Sequence, residues 1–132
     1  MTRSFFSLVA AVLVASTALA DDIRTERVQF HKGANSATVQ GTIKGYETVD
    51  YVLGAREGQS MNVSLSTDNG ANYFNIIAPG KADEAMFVGS TSGNQFEGTL
   101  PANGDYKVRV YLMRSAARRD EVAKYRLEMV ID

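Results

Sequence analysis

The sequence has no cysteine, a single histidine at His31 and only two prolines in 132 residues. Without cysteine there is no disulfide framework, no thiol nucleophile and no cysteine-based zinc site, and one histidine cannot form a multi-histidine site. A basic excess is also missing: 14 Lys and Arg stand against 15 Asp and Glu, a formal net charge of −1. That balance speaks against a nucleic-acid binder resting on global electrostatics. No block of five like charges and no low-complexity tract occurs, so nothing demands disorder. What remains is 45% hydrophobic and 22% charged, the composition of one ordinary globular domain.

The apolar run nearest to a membrane span is Phe5 to Val14, about ten residues and half the length that crossing a bilayer requires. It follows Arg3 and precedes Ala18-Leu19-Ala20, with small residues three and one before a cut, and the polar Asp21-Asp22 comes next. This is the layout of an export signal. Residues 1–20 are therefore expected to be a signal peptide cleaved after Ala20, leaving a domain over 21–132 in the periplasm or outside the cell. With no cysteine in the chain, no lipoprotein attachment site is expected. The mature chain is expected to have no membrane association.

From Val28 onward the apolar residues recur with period two. Val28/Phe30, Ala37/Val39 with Ile43, Val49/Tyr51/Leu53/Ala55 and Met61/Val63/Leu65 each read as a half-buried strand. Further runs lie at 73–77, 85–88, 95–100, 106–112 and 125–131. Turn-forming stretches such as Lys32-Gly33-Ala34-Asn35, Lys44-Gly45 and Asp68-Asn69-Gly70-Ala71-Asn72 separate them. Strands at this spacing, without a long helical pattern, predict an all-β fold: one antiparallel β-sandwich of about eight strands.

Met113 to Lys124 breaks the alternation. It contains neither Gly nor Pro and makes a long connection between two good strands, the kind of loop that is commonly functional. Arg114 and Arg118 are four apart, so a helical turn puts both guanidinium groups on one side. The plainer reading of the same spacing is a solvated, locally helical loop whose arginines pair with Asp120 and Glu121. Elsewhere, His31 reads as an exposed loop residue. Asp68, Asn69, Asn72 and Asp83 offer oxygens to calcium but no ordered ligand loop, so no metal is expected. No nucleophile, base and orienting group occur as a set, which argues against an enzyme and leaves no catalytic residue or cofactor to assign.

Two resemblances add to this reading. Tyr51 to Gln59, Met61 to Leu65, Ile76 to Gly80 and Phe96 to Val110 look like the bacterial pre-peptidase C-terminal type of β-sandwich, which specifies a fold and no activity. Val28 to Gly33, Gly41 to Tyr46, Leu100 to Tyr106, and above all Arg114-Ser115-Ala116-Ala117-Arg118-Arg119 followed by Lys124-Tyr125, resemble the periplasmic inhibitors of g-type lysozyme. That resemblance implies a non-enzymatic protein whose partner is g-type lysozyme, blocking the substrate cleft with loops and so protecting peptidoglycan against host defence. It implies a lysozyme-binding surface of Tyr46, Arg114, Arg118 and Arg119. Asp120 and Glu121 stand where the family carries a more basic stretch. The alternative function is an accessory module of the pre-peptidase type that holds glycan or a partner protein.

Overall fold

The computed structural model describes residues 23–82 and 84–132. The signal peptide with its cut after Ala20, and Asp83 among the calcium candidates, lie outside them. Among the described residues there are nine strands: β1 (Ile23–Arg27), β2 (Ser36–Lys44), β3 (Thr48–Ala55), β4 (Ser60–Thr67), β5 (Asn72–Ile77), β6 (Ala85–Val88), β7 (Gln95–Thr99), β8 (Gly104–Leu112) and β9 (Val122–Ile131). Two one-turn helices join them, α1 (Gly89–Ser92) and α2 (Arg114–Arg118). One sheet has the order β1-β3-β8-β5-β6 and the other β2-β9-β4-β7.

Period-two alternation makes the core. Val49, Tyr51 and Leu53 of β3, with Tyr106, Val108 and Val110 of β8, turn inward from the first sheet. Met61 and Val63 of β4, with Tyr125, Leu127 and Met129 of β9, turn inward from the second. Each such aliphatic side chain contributes about 1.5–3 kcal/mol when taken fully out of water. Tyr51 and Tyr125 bring polar tips into this layer, and they satisfy each other across the sheets through a 2.7 Å hydroxyl–hydroxyl hydrogen bond. Burial raises the pKa of both phenols above the ordinary value. Tyr125 faces Gly41 on β2, where a Cβ would lie 2.5 Å from the phenol oxygen, so only glycine leaves room for the ring.

The expected all-β sandwich is thus what forms, with three differences of detail. There are nine strands, because β1 adds one that alternation does not reveal: all five of its residues are exposed. The pairing of β1 with β3 is parallel, whereas every other pair is antiparallel. β2 lies between them in sequence and belongs to the opposite sheet, so the chain crosses the sandwich and returns in its original direction. The strand expected at Val28/Phe30 is absent; these residues continue past β1 with Val28 N–H donating to Val52 C=O at 2.9 Å, and both side chains lie against the core. Arg24 and Glu26, paired at 2.8 Å, charge the exposed strand β1 and discourage further strand addition at that edge.

Candidate functional site

The connection from β8 to β9 closes one pole of the sandwich. Ala116 and Ala117 of α2 are buried and small enough to let the helix sit directly on the sheet ends. Arg114 and Arg118 consequently project outward, four residues apart on the same side. The helix stops in a hydrogen-bonded C-terminal cap: Asp120 N–H donates to Ala117 C=O at 3.0 Å and Glu121 N–H to Ala116 C=O at 3.1 Å. Such a cap needs a left-handed residue, and Asp120 supplies it with φ 55°. Aspartate tolerates this conformation better than most non-glycine residues.

The β2–β3 turn meets the same loop. Gly45 N–H donates to Glu121 C=O at 2.9 Å, and Gly45 itself adopts φ 63°. A Cβ on Gly45 would lie 2.7 Å from the Asp120 carboxylate, so the close approach depends on glycine. Glu47 braces the turn by accepting from Lys44 N–H at 2.8 Å. Tyr46 follows Gly45 and stands out of the turn with 58% of its surface exposed. Between Tyr46 and α2 lies a recess of about 420 Å³ bounded by Thr48, Tyr111, Met113 and Arg114. Ile23, opposite Thr48 in the sheet, and Met113 and Val122 add exposed apolar surface at this pole.

The four expected binding residues thus share one end, in two electrostatic states. Arg114 and Arg118 make no hydrogen bond or ion pair among the described residues. Arg119 is engaged: its Nε donates to Glu121 Oε2 at 2.8 Å and its Nη2 lies 2.6 Å from the same oxygen. The simpler reading of the loop therefore holds for one arginine of the three. A hydrogen bond from Asn69, and then the Arg119 guanidinium, hold the Glu121 carboxyl below the ordinary carboxylate range.

Asn69 itself was legible only as part of a turn and a set of calcium donors. In the structure the Asp68 carboxylate accepts from Lys124 N–H, and the Asn69 side-chain oxygen accepts from Ala71 N–H. Among the described residues no group of three or more His, Cys, Asp or Glu is disposed to hold a metal. His31 is exposed in the loop before β2.

The fold is a β-sandwich whose β2–β3 turn and β8–β9 loop meet at one end. The inhibitor of g-type lysozyme from Escherichia coli (strain K12) is 32% identical over 127 residues, covering 95% of this chain and 93% of the relative. The chain belongs to that family, the periplasmic lysozyme inhibitors of g-type lysozyme, PliG. The crystal structure of Aeromonas hydrophila PliG matches with a TM-score of 0.78 at 41% identity, over 86% of this chain and all of that one. The pre-peptidase C-terminal domain of a Bacillus anthracis collagenase matches with a TM-score of 0.53 over 85% of this chain and 96% of that one. At 14% identity that likeness is one of fold. No protein-family model matches the chain. Both resemblances read from the sequence are present, and the family is one of inhibitors, not enzymes.

Proposed function

We propose that this protein is a periplasmic inhibitor of g-type lysozyme that seats Tyr46, Arg114 and Arg118 in the enzyme's substrate cleft. The observation that carries the reading is a pair of guanidinium groups on one side of α2, without a partner among the described residues, beside an exposed tyrosine. Glycosidases of this kind keep a general-acid carboxyl protonated by burying it. A guanidinium set against that carboxyl donates two parallel hydrogen bonds, favours the ionised form and so removes the acid. The Tyr46 ring, with a hydroxyl at its tip, suits a sugar subsite and loses little conformational freedom on binding. Arg119 contributes from the rim, where its pairing with Glu121 keeps the loop in shape. Export over residues 1–20, with cleavage after Ala20, delivers the domain 21–132 to the compartment named for its relatives.

The test is lysis of peptidoglycan by purified g-type, c-type and i-type lysozymes with and without the mature protein. Inhibition restricted to the g-type enzyme is expected. Equal lysis with and without the protein for all three enzymes overturns the reading.

A further inference from the structure

The loop between β4 and β5 touches the arginine loop at both of its ends. At the first end, Ala71 C=O accepts from Met113 N–H at 2.9 Å, immediately before α2. At the second, the Asn69 side-chain nitrogen donates to Glu121 Oε1 at 3.0 Å and to Val122 C=O at 3.2 Å. Asp68 extends the seam along β9: its N–H donates to Lys124 C=O at 3.1 Å, and its carboxylate accepts from Lys124 N–H at 2.9 Å. One short loop therefore brackets α2 from start to finish. The Asn69 amide divides its work: its oxygen accepts from Ala71 N–H at 2.9 Å and shapes the bracket itself, while its nitrogen grips the far loop.

Resting on the inhibitory reading above, we infer that Asn69 is a positioning residue for inhibition, fixing the loop that presents Arg114 and Arg118 through its grip on Glu121 and Val122. Two hydrogen bonds from one primary amide, one of them to a charged acceptor, hold the end of the loop where the cap residue Asp120 is left-handed. Glu121 in turn engages Arg119 with its other oxygen, so the grip passes to the residue next to Arg118. An arginine displaced by about 1 Å from a buried carboxylate forfeits two-point geometry, which makes presentation as consequential as charge.

Asn69→Asp tests this cleanly. The introduced carboxyl keeps the acceptor that Ala71 N–H needs, and it replaces the donating nitrogen with an oxygen facing Glu121. Above the carboxylate range the two anions repel and the grip is lost. As pH falls the pair takes up a shared proton and an O–H donor returns between the two carboxyls, so the bond to Glu121 is restored while the one to Val122 C=O is not. The charged groups carried by the elements that meet at Glu121 include Arg114, Arg118, Arg119 and Asp120 on its own loop, Asp68 beside Asn69, Lys44 and Glu47 at the β2–β3 turn, and Lys124 on β9. The double variant Asn69→Asp with Glu121→Gln reverses the direction of the bond, since the new amide donates to the new carboxylate.

The experiment pairs affinity for g-type lysozyme with amide hydrogen exchange of the free protein. At pH 7.5 the single variant is expected to bind about tenfold more weakly, with faster exchange at Arg119 to Val122 and an unchanged β4 core. The deficit relative to the parent is expected to narrow severalfold by pH 4.5, and the double variant to regain most of the affinity and protection. Unchanged exchange in Asn69→Asp overturns the bracket. Faster exchange with parental affinity overturns its role in positioning. Exchange is read without the enzyme, so a parent that fails to inhibit counts against the inhibitory reading alone, while the bracket is still judged.

Discussion

The two poles of the sandwich carry recesses of the same size and very different chemistry. Opposite the arginine pole, the space between Phe30, Asn35, Ala55, Arg56, Gln59 and Ile131 also measures about 420 Å³. There the chain closes on itself: Ile131 N–H donates to Asn35 C=O, and Asp132 and Ser60 exchange backbone hydrogen bonds at 2.9 and 3.1 Å. The aromatic ring lining that recess, Phe30, lies against the core, and Arg56 is exposed in a turn. The arginine pole instead has an aromatic ring in solvent and two cations spaced by one helical turn on a docked scaffold. Volume alone therefore does not distinguish the pole proposed to bind from the closing one. Projection of groups left unpartnered among the described residues does.

The sharpest way to break this contrast is to truncate a cation at each pole. Arg114→Ala and Arg118→Ala are each expected to weaken inhibition at least about thirtyfold, since removing one side of a desolvated charge pair costs roughly 2–5 kcal/mol. Arg56→Ala should stay within about twofold, the usual outcome for an exposed side chain outside an interface. All three should melt with the parent, as none lies in a strand. Equal losses from Arg56→Ala and Arg118→Ala in a dose–response series would erase the distinction between the poles.

Arg118→Lys asks whether shape or charge matters at the arginine pole. Lysine keeps the charge but loses the planar fork and carries a more strongly hydrated head, so the variant should fall most of the way to Arg118→Ala, chiefly through faster dissociation. Dissociation as slow as the parent's, at low and high salt alike, would point to diffuse attraction instead.

Gly45→Ala probes the seam that brings Tyr46 to α2. The added Cβ meets the Asp120 carboxylate and a left-handed φ at once. A loss of about 1–2 kcal/mol in stability and a severalfold loss of inhibition are expected, measured by denaturant melts and lysis assays. Tyr46→Phe keeps the ring and should lose less than Arg118→Lys, about threefold or less by the same assay.

The smallest expected effect is on acid stability. Glu121 has its folded-state pKa lowered from 4.5, so its contribution is present above that value and is lost as pH falls through the folded pKa. Glu121→Gln should flatten the decline in melting temperature below about pH 4.5, and a parallel decline in parent and variant would detach the carboxylate from the loop's stability.

Much of the sandwich is readable from the sequence because burial on one face imposes period two, as in Val49/Tyr51/Leu53 and Met61/Val63/Leu65. The shared direction of Arg114 and Arg118 is equally local, a consequence of four-residue spacing on a helical turn. β1 escapes notice because an exposed edge strand has no apolar side to alternate, and its parallel pairing depends on the intervening strand crossing to the other sheet.

What the sequence determined by itself is the local part: strand periodicity, the turn chemistry between strands, the arginine spacing and the blocks that resemble the lysozyme inhibitors. Tertiary structure alone decided which turns meet. Gly45 reaches Glu121, and Asn69 reaches Glu121 across 52 positions, only because β2 and β4 both pair with β9. Those contacts leave no periodic trace, since a hydrogen bond between distant turns constrains single residues at unrelated positions. It also took folding to separate the three arginines, by supplying Glu121 as a partner to Arg119 and leaving Arg114 and Arg118 without one among the described residues.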